Sequence, residues 1–360
     1  MKAARYLAAV FCLLCVRLAM PQEAGSGVDL RATVTAQAIG SSELTEPPRS
    51  GAPLVAGAHL IVYPTIKFSE HWFMTGAVQL VTRPYYYTDL STAGYGAEGS
   101  LLQATLNYSR VSQKGAILLR AGEMSTAFGS FVLRYDDTDN PLVDVPKQYG
   151  YYSLVSILGV AGVQLDATRG KFDGRIQFAN SSPANPRSLF VGDQYGNWAG
   201  GAGYTIRQGF RVGVSGYRGP YLDRSSKFFR PGEVNPSKLP AHALGLDANW
   251  AHGHTTAYVE AQRFVMPYTV VPTFYESAGY AEVRQVLSPR WFIAGRYGLT
   301  SNHHAKRTQS LETAAGFRPN RFQLLKIGYE FDHYASGSAQ EDNIVGIQFI
   351  TSLHKSAAWQ

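Results

Sequence analysis

The chain has 360 residues, 45% hydrophobic and 12% aromatic but only 16% charged, against roughly 25% charged in ordinary soluble domains. Its 33 basic and 26 acidic residues give a formal charge of +7, with 36 glycines and 22 tyrosines and a mean hydropathy of −0.14. Disordered and coiled-coil chains are richer in charge and helical membrane proteins far more apolar, so a large all-β protein remains.

The N-terminus predicts a secretory signal over residues 1–24. Lys2 and Arg5 supply its positive end, residues 6–16 its apolar stretch, and Ala19 and Ala24 are both candidate cleavage points. The stretch is too short to span a bilayer as a helix, which takes about 20 residues. Both cysteines, Cys12 and Cys15, fall inside it, and Leu13-Leu14 offers no small residue of the kind a lipoprotein cysteine needs before it. Residues 25–360 then form one domain with 30 basic and 25 acidic residues and no cysteine, hence no disulfide and no thiolate metal site. No later window approaches 18 uninterrupted apolar residues. A mature chain lying in a membrane crosses it as strands.

Period two runs along all of that domain. Val28, Leu30, Ala32 and Val34 alternate with Asp29, Arg31, Thr33 and Thr35. The same division recurs at Phe172/Gly174/Ile176/Phe178, at Leu244/Leu246/Ala248/Trp250 and at Leu325/Ile327/Tyr329/Phe331. Successive strand side chains point to opposite faces, so each segment has one apolar and one polar face. Sixteen such segments are predicted, centred near residues 33, 60, 77, 106, 119, 162, 176, 202, 213, 246, 259, 280, 295, 314, 327 and 348. Seven short turns alternate with eight longer loops between them. That is the pattern of a transmembrane antiparallel β-barrel of about 16 strands, with short periplasmic turns and long external loops. Trp72, Phe172, Phe210, Trp250 and Trp291 sit beside the short turns on the apolar parity; Tyr85 to Tyr87, Trp198, Tyr329, Phe331 and Tyr334 lie toward the other rim. Two aromatic girdles are expected of a barrel in lipid. Phe322 breaks the pattern, its parity pointing inward.

The polar face then lines the interior. Its basic side chains include Arg31, Arg120, Arg175, Arg207, Arg211, Arg284, Arg296, Arg318 and Lys326, and its acids include Asp166, Asp173, Asp247, Glu260, Glu282, Glu312, Glu330 and Asp332. Most of these are expected to bridge strands. Sixteen strands also enclose more space than side chains fill, so an aqueous lumen is expected. Loop 127–150 stands apart, combining Phe131, Val132, Leu133, Leu142 and Val143 with Asp136, Asp137, Asp139 and Asp144. A loop so apolar should bury something, and the barrel interior is at hand. The expectation is a constriction loop whose aspartates face arginines of the wall, a transverse charge arrangement that tunes passage. A solvated external loop, or a calcium site at Asp136/Asp137/Asp139, are the other readings. There is no phosphate-cradling glycine motif, nucleophile-turn motif, zinc-protease motif or nucleic-acid module, so no cofactor, enzyme activity or nucleic-acid partner is expected. The pairs His252/His254 and His303/His304 lie in a turn and a loop.

Leu119-Arg-Ala-Gly-Glu-Met-Ser-Thr-Ala-Phe128-Gly129, followed by Asp139-Asn-Pro-Leu-Val-Asp-Val-Pro146, resembles the matching stretch of sixteen-stranded bacterial porins, in particular the phosphate-selective porin O/P-like group. The resemblance implies a homotrimeric, passive channel for small hydrophilic solutes or ions, in contact with outer-membrane lipid in a Gram-negative-type bacterium. It also implies that the third long loop folds inward. Phosphate itself is not implied, since lumenal acids are about as numerous as bases. The chain departs from such barrels by running on through Lys355 to Trp359-Gln360 rather than ending on an aromatic. A closed structural or adhesion barrel, or less readily an outer-membrane enzyme, remains the alternative.

Overall fold

The computed structural model describes residues 26–41, 54–83, 85, 96–149, 154–155, 159–184, 196–221, 239–268, 272–302, 307–335 and 340–358. Its strands are β1 (Gly27–Ser41), β2 (Leu54–Lys67), β3 (Trp72–Arg83), β4 (Gly96–Ser112), β5 (Gly115–Met124), β6 (Val160–Arg169), β7 (Phe172–Ala179) and β8 (Asn197–Arg207). They continue as β9 (Phe210–Pro220), β10 (Pro240–His252), β11 (Thr255–Met266), β12 (Phe274–Ser288), β13 (Trp291–Asn302), β14 (Arg307–Asn320), β15 (Gln323–Ala335) and β16 (Gln340–Ala358). Each pairs antiparallel with its neighbours in sequence. β16 returns to β1, from Gly27↔Ala358 to Ser41↔Ile344, and the barrel closes without a free edge. All sixteen expected centres fall inside strands, and the seven short turns fall where the sequence places them. β16 runs to Ala358, so the departure at the C-terminus lies within the last strand up to that residue. The expected signal segment 1–24 and the pair His303/His304 lie outside the described residues.

The burial pattern is the inverse of a water-soluble sandwich. Leu244, Leu246, Ile293, Ile327 and Ile347 are 42–57% exposed, whereas Glu260, Glu282, Arg296, Glu312, Lys326 and Gln348 are at most 4% exposed. Apolar parity faces out and charged parity faces in, which only a lipid exterior makes favourable. Aromatic side chains meet across strands on that exterior. At the short-turn rim Trp72–Tyr108, Phe172–Tyr204 and Trp291–Phe317 have ring centroids 5.1, 4.8 and 4.5 Å apart; at the opposite rim Phe178–Trp198 are 4.9 Å apart. Each is a directly opposed pair in the ladder, where aromatic contacts add most to sheet stability.

Two expected girdle residues belong elsewhere. Tyr85 is fully buried and its hydroxyl bonds Asp137 of the inward loop; it shares the parity of the buried Gln79 and Val81. Tyr334 shares the parity of Lys326, Glu330 and Asp332, and its hydroxyl bonds the Asp332 carboxylate. Phe322 lies in the turn between β14 and β15, where strand parity no longer applies, and is exposed.

An arginine at the centre of the outer face tests the lipid assignment. Leu246→Arg, midway along β10, is expected to lower folding stability by about 2–4 kcal/mol in reversible denaturant titrations of the bilayer-inserted protein. A loss below about 1 kcal/mol, the interfacial value, would contradict the assignment.

Candidate functional site

Between β5 and β6 the chain folds into the barrel. Its apolar residues find an apolar interior: Phe128, Phe131 and Leu142 are fully buried, and Val145 and Tyr149 nearly so. Phe128 meets Phe264 and Phe131 meets Tyr280 edge-on, with centroids 6.0 and 6.3 Å apart. Ile61, Val81, Tyr217, Phe264 and Tyr280 are apolar residues on the otherwise polar inner face, and they cluster with the loop. Gly129 has φ +83°, a left-handed conformation in which a side chain is strained. A Cβ there would also strike the Tyr149 hydroxyl. Val143 fills a notch formed by the paired glycines Gly328 and Gly346, where an added Cβ would stand 2.7 Å from a Val143 methyl.

Polar anchors surround this packing. Lys326 of β15 is fully buried, and its ammonium donates to the carbonyls of Asp137, Asn140 and Leu142 at 3.0, 3.0 and 2.7 Å. All three of its protons are thereby used. Arg296 of β13 uses all five donors. It bonds Glu282 through Nε and Nη2 (3.0 and 2.8 Å), Glu312 and the Asp144 carbonyl through Nη1 (both 2.9 Å), and Asn140 through Nη2 (3.1 Å). Glu312 accepts from the Val143 and Asp144 amides at 3.0 Å each. Glu260 accepts from the Ser130 amide at 2.9 Å and the Tyr149 hydroxyl at 2.7 Å. Arg134 of the loop pairs with Glu282 and lies 3.7 Å over the Tyr258 ring. Lys147 bridges Glu330 and Asp332 at 2.6 and 2.8 Å.

The four aspartates divide by environment. Asp137 is buried and accepts from Thr35, His59 and Tyr85 at 2.7, 2.8 and 2.9 Å. Burial alone would raise its carboxyl, but His59, the Lys326 charge and Thr35 hold it at about 2. Asp144 is buried too, and burial together with Glu330 pushes it up to about 6. Asp136 accepts from Thr33, Tyr63 (2.6 Å) and the Thr138 amide and hydroxyl (2.9 and 2.7 Å). These hydroxyl partners occupy the oxygens that the calcium reading needs. Asp139 is exposed to the lumen, its charge opposed by Arg31, Arg318 and Arg284 and reinforced by Asp136; burial and Asp136 raise its carboxyl.

Of the charged residues singled out from sequence, then, Asp137 and Asp144 of the loop and Arg296 and Lys326 of the wall are buried between loop and wall as anchors. The reason is that each finds several partners there, which removes the desolvation cost of burial. Arg175 donates to the Gly129 carbonyl. Arg120 meets Asp166 at 3.1 Å. Arg31 lies 5.2 Å from the Tyr63 ring centroid and Arg284 4.5 Å from that of Phe292. Arg31, Arg120, Asp136 and Asp139 line a cavity of about 340 Å³ beside Leu133.

No protein-family model matches the chain, and no curated protein matches it in sequence. Solved structures match it in shape. An anion-selective porin from Comamonas acidovorans aligns over 91% of this chain and 100% of its own, at 10% identity and a TM-score of 0.64. The outer membrane channel DcaP of Acinetobacter baumannii aligns over 93% and 100%, at 11% identity and a TM-score of 0.61. The trimer form of OmpT, an outer membrane protein of Vibrio cholerae, aligns over 92% and 100%, at 10% identity and a TM-score of 0.58. The fold is that of the outer-membrane porins.

On this porin fold the anchors Glu260, Glu282, Glu312, His59, Gln348, Arg134 and Lys147 were not legible as loop contacts. Parity places a side chain inside the barrel but does not say what it meets across the lumen. The one available signal was apolar: Ile61, Val81, Phe264 and Tyr280 break the polar parity where the loop packs.

A Val143→Cys, Gly346→Cys pair tests the loop's position directly. The two Cβ atoms would lie 3.5 Å apart, within disulfide range, so spontaneous cross-linking is expected on non-reducing gels. Absence of the cross-link would contradict the packing. Arg296→Met leaves Glu312 buried without its cation and Glu282 with Arg134 alone, and is expected to cost about 3–5 kcal/mol of stability in the same denaturant titrations; a cost under 1 kcal/mol would show the Arg296 bridges to be dispensable.

Proposed function

We propose that this chain is a passive diffusion channel of a Gram-negative-type outer membrane, carrying small hydrophilic solutes or ions, with the inward loop as its charged constriction. The observation that carries this reading is the loop bonded inside a lipid-facing barrel, with Asp139 exposed and lining one cavity together with Arg31 and Arg120. Opposed charges at a narrow passage orient dipolar solutes and set ion preference. Arg120 and Arg175 extend the basic wall beside the loop. The porin fold supports the channel reading, and the trimer form of the OmpT match supports a homotrimer. The residues 119–129 and 139–146 support a finer kinship with the phosphate-selective group.

A second reading is favoured by one observation. The loop bonds strands on most sides of the barrel: β1 and β2 through Asp136 and Asp137, β3 through Tyr135, and β11 to β16 through Glu260, Glu282, Arg296, Glu312, Lys326 and Gln348. A barrel filled in this way could be closed and structural. Planar-bilayer recording of purified, heat-modifiable protein separates the two. Stepwise ion current, in multiples of three if the protein is trimeric, is expected; correctly folded protein that passes no current would leave the closed barrel.

A further inference from the structure

The rim at the short turns carries charge of one sign. Lys67, Lys114, Lys171, Arg207, Arg290 and Arg321 stand in or directly beside six of the seven short turns, and the seventh, between β10 and β11, holds His252 and His254. The acid in these turns is the single Glu70. All six cations are exposed, and none has an ion-pair partner among the described residues. At the same level Asp29 is taken up by His354 and Asp173 by Arg211.

Three further cations of this rim point outward. Arg110, Arg169 and Lys355 are exposed and continue the parity of Leu106, Leu165 and Leu353, which are 40–55% exposed on the lipid side. The aromatic girdle lies at the same level: the Lys171 ammonium is 6.0 Å from the Tyr204 ring centroid and the Arg321 guanidinium 4.5 Å from that of Phe322. Long basic side chains lay their stems on such apolar surface and hold their charge at the membrane–water interface. Strand order around the barrel follows the sequence, so cations at the ends of β2, β4, β6, β8, β12, β14 and β16 encircle it. A soluble partner would cover one sector and would not reach the lipid-facing side chains. A lipid leaflet touches every sector and both kinds of position.

We infer that the short-turn rim binds anionic phospholipid headgroups and gathers them around the barrel, phosphatidylglycerol being the simplest such lipid. Its phosphate oxygens accept from the guanidinium and ammonium donors, and its glycerol leaves the headgroup with a net negative charge. The choline of phosphatidylcholine cancels that charge and adds a cation facing the same basic side chains. Basic residues beside a membrane surface are drawn to anionic lipid in this way, and salt weakens the attraction. The inference rests on the lipid-facing exterior and is independent of whether the lumen conducts.

The test uses the full mature protein with Trp198→Phe and Trp359→Phe, so that emission comes from Trp72, Trp250 and Trp291 of the short-turn rim. It is reconstituted in mixed phosphatidylglycerol and phosphatidylcholine vesicles, with brominated chains on one lipid or the other. At low ionic strength brominated phosphatidylglycerol should quench as though bound about fivefold more tightly than brominated phosphatidylcholine, or better, fivefold being the effect of roughly one surface cation. The preference should fall toward unity in concentrated salt. Combining Arg110→Gln, Arg169→Gln and Lys355→Gln should bring it below about twofold at low salt, with the barrel still heat-modifiable. Arg263→Gln, on the outward parity at the opposite rim beside Leu244, should leave it unmoved. Equal quenching by the two lipids, or a preference indifferent to salt, would overturn the inference. So would an unchanged preference in the folded triple variant, or an equal loss in Arg263→Gln. The headgroup and salt comparisons decide the matter whether or not the triple variant folds.

Discussion

Lys326 fixes the interior of this barrel. Its ammonium is fully buried and holds three carbonyls within six residues of the loop, those of Asp137, Asn140 and Leu142. A buried charge is tolerable when every proton finds an acceptor, and here the acceptors all belong to a segment with no regular structure of its own. The loop thus takes its shape from the wall. Glu312 and Arg296 extend the same principle one and two strands away: the first accepts the Val143 and Asp144 amides, the second gives donors to the Asp144 carbonyl and Asn140.

The barrel separates two solvents, and the forces sort accordingly. Outside, lipid tails provide no hydrophobic drive, so the exterior needs only apolar side chains and interfacial aromatics. Inside, the wall is polar, and withdrawing Phe128, Phe131 and Leu142 from water is worth roughly 1.5–3 kcal/mol each. The hydrophobic effect therefore acts in the lumen, which is why the apolar cluster of this protein is centred on the loop. The notch at Gly328 and Gly346 belongs to the same design, since side chains at either position would hold Val143 off the wall. In acid, Asp137 would be among the last of the loop's carboxylates to protonate. Its folded pKa of about 2 lies below the ordinary value of about 4, so its contribution is present above pH 4 and is lost as pH falls through 2.

Strand number, turn positions and the outward face were legible because each follows from a period of two repeated over many residues, as at Leu244–Trp250 or Leu325–Phe331. The inward course of the loop was legible from composition, since Phe131, Leu142 and Val143 had to be buried somewhere. The site itself was only partly legible. Asp139 stays exposed, but Asp137 and Lys326, equally charged, are consumed in anchoring. Sequence gives a side chain's face; its partner depends on a fold that brings residues 186–189 positions apart into hydrogen-bond contact. Tyr85 shows the same limit from the other direction. Its ring suits a girdle, but its parity with Gln79 and Val81 directs it inward to Asp137.

The dependence of the loop on its buried lysine is measured most directly by amide hydrogen exchange on the bilayer-inserted protein. The amides of Val143 and Asp144, bonded to Glu312, should be protected in the wild type. In Lys326→Met they should exchange far faster, while the amides of β13, β14 and β16 stay protected. Unprotected Val143 and Asp144 in the wild type, or unchanged protection in Lys326→Met, would contradict the account.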